Sequence, residues 1–296
     1  MTTPTLFPEL LWPLGAELGE GPMWHAAQQR LYFVDLKGHT LHGYDGADGR
    51  RHSWPMPAEI CWLIARSDGD GFMAGLGNDI VRLWLEPAVR IEKLASPVAP
   101  YSGVRLNDAK ADAAGNIWAG SMHDTEVTRK DGKLFRLGAD GTLRIMVEDY
   151  QICNGPALSL DGTLLYHSDS LPGETHVYAI GADGTLGPQQ LWRRFDGAVE
   201  GSPDGMTVDS EGCLWIAQWG GSRVCRYAPD GTLLATIAMP VKQPTSCVFG
   251  GPDLKTLYIT SAHQGMDAGQ RADDPLAGAL FSVRLEVGGV PGATYG

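Results

Sequence analysis

The chain has 296 residues, with 23 Lys plus Arg against 35 Asp plus Glu, a formal charge of −12. A surface of that sign repels phosphate backbones and anionic bilayers, which argues against nucleic acid and membranes as partners. Length alone suggests two domains, but closed all-β folds hold this many residues in one, and the repeats below run without a linker, so a single domain over residues 1–296 is expected.

The first fifteen residues, MTTPTLFPELLWPLG, lack a basic stretch followed by an unbroken apolar core. No segment reaches the ~18 apolar residues of a membrane span, so a cytoplasmic protein is expected. Leu10, Leu11, Trp12 and Leu14 precede any repeat. They are expected to pair with the Leu280 to Val287 run near the C-terminus and so remove a sheet edge.

From Trp24 onward a pattern recurs: a short apolar run, a turn with Asp or Gly, then a second run with an aromatic near its start. The six aromatics are Tyr32, Phe72, Trp118, Tyr166, Trp215 and Tyr258, at intervals of 40, 46, 48, 49 and 43 residues obtained by subtracting successive positions. A second half-repeat recurs as KLFRLGADGTL from Lys133, HVYAIGADGTL from His176 and RVCRYAPDGTL from Arg223, each a strand entering a Gly-containing hairpin turn. Short strands with a period of 40 to 50 residues and no long 3.6-residue periodicity predict an all-β fold, a six-bladed β-propeller of four-stranded blades. Pro87 to Pro100 and Gly265 to Leu276 match no strand pattern and are read as loops. Cys61, Cys153, Cys213, Cys225 and Cys247 show no paired spacing and are read as small buried apolar side chains.

Counting back from each aromatic, Glu20 lies 12 residues before Tyr32, Asn107 11 before Trp118, Asn154 12 before Tyr166 and Asp204 11 before Trp215. Pseudo-symmetry therefore sets two carboxylates and two amides on one ring about the axis. Taken singly, Asn154 and Asp204, each followed by Gly, read equally as turn formers. In register near a channel, two carboxylates repel unless a cation lies between them. The donor set is hard, suiting Ca²⁺, Mg²⁺ or Mn²⁺, with Fe²⁺ or Zn²⁺ admitted if water completes the site. Arg105, two residues before Asn107, offers a planar donor fork on the same face, or else forms a rim salt bridge. Lys110 and Asp112 are read as supporting the fold. His123 and Asp124, and His263 in the sixth repeat, follow strands that end at the channel mouth, or are loop residues.

Five motifs in order, GEGPMW with Glu20, RLNDAKADAAGNIWAGSM with Arg105 and Asn107, CNGPALSLDG with Asn154, PDGMTVDSEGCLWIA with Asp204, and TSCVFGGPDLKTLYIT, closely resemble the regucalcin/gluconolactonase family of sugar-lactone hydrolases. The resemblance runs from about Leu14 to Phe281. Its MHD at Met122 to Asp124 and HSDS at His167 to Ser170 look most like bacterial xylonolactonases and arabinonolactonases. It implies one divalent metal held by Glu20, Asn154 and Asp204, with Arg105 and Asn107 contacting the sugar and Asp204 doubling as general base. His123 joins them as a candidate substrate-binding residue. Animal members carry a substrate-binding carboxylate shortly after the motif matching Gly120-Ser121-Met122, where this chain has Thr125, so their substrate preference does not transfer. The expected activity is hydrolysis of an aldonolactone, such as a xylono- or arabinonolactone, by a monomer or weak homo-oligomer. A calcium-binding regulatory propeller and an esterase acting on another ester are the alternatives.

Overall fold

A computed structural model describes residues 5–100 and 102–296. Its strands form six separate sheets arranged as the blades of a six-bladed β-propeller, five of four antiparallel strands and one of five with a parallel edge strand. The innermost strands, Gly19–His25, Ile60–Ala65, Val104–Ala111, Cys153–Leu158, Ser202–Val208 and Pro244–Gly250, pack side by side around the axis, and the chain closes where the sixth meets the first.

Tyr32, Phe72, Trp118, Tyr166, Trp215 and Tyr258 each lie on the second strand of a blade, all of them buried. There they wedge between neighbouring sheets, where a fully buried large side chain is worth about 1.5–3 kcal/mol. In two blades a turn aspartate locks the aromatic. Asp112 accepts the Trp118 indole N–H at 2.8 Å and Asp209 that of Trp215 at 3.0 Å, while each also accepts backbone N–H groups of its own turn. The recurring GADGTL and APDGTL segments behave alike. Asp140, Asp183 and Asp230 each accept the N–H of the threonine two residues on, and so fix the hairpin turn between third and fourth strands.

The N-terminal segment closes the ring as expected: Glu9–Trp12 is the outer strand of the sixth blade, paired with Leu280–Arg284. Trp12 then packs edge-on against Phe33 and His42 of the first blade. Thr5–Leu6 adds a fifth strand, parallel to Leu233–Ala238, an extension absent from the repeat pattern.

Two segments read as loops differ. Arg90–Ala95, within Pro87 to Pro100, is the outer strand of the second blade. Its residues are mostly exposed, so the sequence RIEKLA carries little of the apolar alternation that marks a strand. Within Gly265 to Leu276, Ala268–Asp273 forms a short helix begun by a capping box between Asp267 and Gln270. All five cysteines are buried and unpaired.

Candidate active site

Each of the six inner strands carries one extra residue relative to its neighbour, at corresponding places: Glu20/Met23, Ile60/Trp62, Leu106/Ala109, Asn154/Ala157, Pro203/Met206 and Pro244/Ser246. Such a bulge bends the strand and re-aims a side chain. Glu20, Asn107, Asn154 and Asp204 all sit at these bulges, which is why they fall 11 or 12 residues ahead of their aromatics. Gly21 and Gly155 adopt positive φ, at +50° and +77°. A Cβ on Gly21 would also meet the Cys61 carbonyl at 3.0 Å, so a larger residue there disturbs the bulge that presents Glu20.

A continuous hydrogen-bonded chain crosses one side of the ring. Lys37 Nζ bonds Glu59 and Asp124, both at 2.6 Å, and Arg105 Nε donates to the same Asp124 oxygen at 2.6 Å. Arg105 Nη1 donates to Asn107 Oδ1 at 2.6 Å. Asn107 Nδ2 then donates to the Cys153 carbonyl at 2.7 Å and to Asn154 Oδ1 at 2.8 Å. Asn154 Nδ2 donates to Ser170 Oγ at 2.8 Å, and that hydroxyl donates to the Pro203 carbonyl at 2.6 Å, next to Asp204. The direction of each bond fixes the next. Because guanidinium can only donate and a carbonyl can only accept, the orientation of both amides is determined, and each oxygen points back toward the arginine end.

Beside this chain the carboxylates are poorly compensated. Burial, then the charge of Asp108, pushes Glu20 up to about 8, against the Gly21 N–H that favours its charged form. Burial, then Glu20 and Asp108, raises Asp204 well above the usual carboxylate range. Burial likewise raises Asp108, whose Oδ2 is buried without a partner. Three acids in a desolvated channel, one oxygen orphaned, suit a bound cation. Among the described residues no three His, Cys, Asp or Glu side chains form a preformed cage. Asp124 is the opposite case. Burial works against its charge, but Lys37 and Arg105 outweigh that and hold its carboxyl below the ordinary range.

Arg105, Asn107 and Asn154 are thus joined directly, and Glu20 and Asp204 interact electrostatically. His123 makes no hydrogen bond to any of them. It ends the second strand of the third blade, its Nδ1 accepts the Glu126 N–H at 3.0 Å, and its ring lies against Gly103. Asp124, its neighbour, is the residue that reaches Arg105. Thr125 is exposed. Asp112 supports the fold as expected, whereas Lys110 faces the channel. Lys37, Glu59, Asp108 and Ser170 were not singled out from the sequence. Asp108 and Ser170 lie within quoted motifs, while nothing local marks Lys37 or Glu59.

Residues 18–263 match the SMP-30/Gluconolactonase/LRE-like region. The chain belongs to this family. Within the SMP-30/gluconolactonase relatives it is 38% identical over 272 residues to a 6-deoxy-6-sulfogluconolactonase of Pseudomonas putida, covering 92% of each chain. It is 34% identical over 282 residues to an L-arabinolactonase of Azospirillum brasilense, covering 94% of this chain and 92% of that one. Its fold superposes with a TM-score of 0.94 on regucalcin of Agrobacterium tumefaciens, described as a calcium-binding protein, at 26% identity with 100% and 99% of the two chains covered.

Proposed function

We propose that the protein hydrolyses a sugar lactone to its aldonic acid, acting on a pentonolactone such as xylono- or arabinonolactone. The observation that carries this reading is the pairing of two desolvated carboxylates, Glu20 and Asp204, with an amide, Asn154, whose nitrogen donates to Ser170 and whose oxygen accepts from Asn107. Glu20, Asn154 and Asp204 would hold one divalent ion, with Ca²⁺, Mg²⁺, Mn²⁺, Fe²⁺ and Zn²⁺ as candidates for this hard donor set. When bound, the ion supplies positive charge that polarises a carbonyl and acidifies water.

The remaining work falls to the chain itself. Asp204 accepts a proton from the attacking water, which adds to the lactone carbonyl. The ring C–O bond then breaks, and the departing oxygen takes a proton to become the sugar hydroxyl. Arg105 has no hydrogen-bond partner for Nη2 among the described residues, so that nitrogen is its free donor for a lactone oxygen. Both N–H groups of Asn107 are committed within the protein. Its role is to couple Arg105 to Asn154 rather than to donate to the sugar. His123 shapes the 123–126 turn behind Asp124. Named relatives that act on 6-deoxy-6-sulfogluconolactone and L-arabinolactone support the reaction class without choosing the sugar.

A pH-stat comparison of xylono-, arabinono-, galactono- and gluconolactone with aryl esters tests the reading. Opening of a pentonolactone well above its spontaneous rate, with little action on aryl esters, is the expected result. Hydrolysis of aryl esters alone would instead identify an esterase.

A further inference from the structure

The end of the channel beyond the bulges holds a cavity of about 380 Å³. Met23, Ile64, Ala111, Leu158, Val208 and Phe249 line it, and in each blade these residues follow the bulge that bears or corresponds to a site position. The cavity therefore opens on the face away from Arg105 and Asp124. Its rim also exposes apolar surface, with Leu160 52% and Val290 40% accessible. That volume lies within the range of small-molecule sites, at about 300–1,000 Å³.

One charge in this cavity has no ion-pair partner among the described residues. Lys110 is the only Lys or Arg lining it and forms no ion pair or hydrogen bond among the described residues. Its field reaches Asp108 and Glu20, but neither lies within ion-pair distance of it. The two lining acids are occupied elsewhere: Asp112 with Asn116 and Trp118, Asp161 with Ser159 and Thr163. Across the mouth runs the segment Val290, Pro291, Gly292 and Ala293. It is fastened at one end by Gly289 N–H to the Leu254 carbonyl at 2.8 Å, and at the other by Tyr295 N–H to the Ala65 carbonyl at 3.0 Å. Between these points it makes no backbone hydrogen bond to the described residues.

We propose that this half of the channel is a second binding site, for a small hydrophobic monocarboxylate whose carboxylate pairs with Lys110 and whose apolar body fills the cavity beneath Val290 to Ala293. A single charge is required because only one cation is present, and a phosphate or dicarboxylate would leave a second charge unpaired among apolar walls. A polar aldonate would lose its hydroxyl hydration without gaining partners, so the occupant differs from the product of the proposed reaction. The apolar walls strengthen the ion pair that Lys110 makes by excluding water.

Octanoate, with octan-1-ol as the uncharged comparison, is the probe, titrated calorimetrically into the full chain without lactone. The site predicts saturable binding of one octanoate per chain, at least about tenfold tighter than octanol. It also predicts a loss of about tenfold or more in Lys110→Met and near-normal binding in Lys110→Arg, as expected when one partner of a desolvated charge pair is removed. Asp204→Ala should bind octanoate as the wild type does, which separates this site from the lactone site whatever that site proves to do. Absence of saturable octanoate binding, equal affinity for octanol, undiminished binding in Lys110→Met, or loss in Asp204→Ala would each overturn the proposal. Should Lys110→Met not fold, the comparison of octanoate with octanol on the wild type decides alone.

Discussion

Ser170 ties the Asn154 amide to the strand that carries Asp204. Its hydroxyl accepts from Asn154 Nδ2 while donating to the Pro203 carbonyl, so together with Asn107 it fixes which end of the Asn154 amide is the oxygen. Ser170→Ala should leave the fold intact and weaken divalent-ion affinity by roughly ten- to a hundredfold, the usual effect of removing a group that orients a ligand. Competition with a fluorescent chelator measures it, and unchanged affinity would mean that Asn154 is held some other way. The carboxylates make a second prediction. Without an ion the folded protein keeps a proton on Glu20 up to about 8, whereas the unfolded chain releases it near 4.5. The unfolded state therefore binds fewer protons across that window, and metal-free stability is full below it and declines as pH rises through it. Melting of chelator-treated protein should thus fall from about pH 5 to pH 8, and an added divalent ion should restore more stability at the upper pH. At this scale the sequence made Glu20, Asn154 and Asp204 legible because the bulge repeats at one blade position. Lys37 and Glu59 were not legible. Lys37 joins Asp124 across a sequence separation of 87 residues and bonds Glu59 as well, contacts that no local pattern encodes.

Among the elements, the second strand and its preceding turn form the lock of two blades. Asp209 is fully buried and accepts from the backbone N–H groups of Glu211 and Cys213, the Trp215 indole and Arg226 Nε. Asp209→Ala would strand the indole N–H and leave the partly buried Arg226 with only Glu211, a loss on the order of 3–5 kcal/mol. Denaturant unfolding checks this, and a loss below about 1 kcal/mol, the scale of a surface pair, would show that the lock is dispensable. The same contrast between inner and outer positions explains what could be read of the strands. Ile117–His123 is buried along its whole length and reads as a strand from composition alone. Arg90–Ala95, at the rim of its blade, is held by backbone pairing with Asp79–Trp84, which leaves its side chains free to be charged. The helix Ala268–Asp273 is too short for a 3.6-residue period to emerge, and only its Asp267–Gln270 capping box marks it.

The whole molecule depends on closure, since the proposed site ring exists only if all six inner strands hold their places. The sixth blade borrows Glu9–Trp12 for its outer strand, and Trp12 reaches across to the first blade. Removing residues through Trp12 should therefore lower the melting temperature and weaken ion binding together, because the blade carrying Glu20 abuts the unclosed joint. Intact ion binding in such a truncation would show that the inner ring closes without its outer strand. The closure was legible because an apolar run before the first repeat had no other edge to cover; the parallel addition of Thr5–Leu6 to the fifth blade had no such signal. The central claim is that Glu20, Asn154 and Asp204 on this closed ring form one metal-dependent lactone-opening site. Acid release from pentonolactones by chelator-treated protein, with single divalent ions restored anaerobically, tests it most directly in the wild type and Asp204→Ala. The account predicts that at least one ion restores turnover above the spontaneous rate in the wild type and that none does so in the folded variant. Equal turnover by Asp204→Ala, or full activity of the metal-stripped wild type, would contradict it.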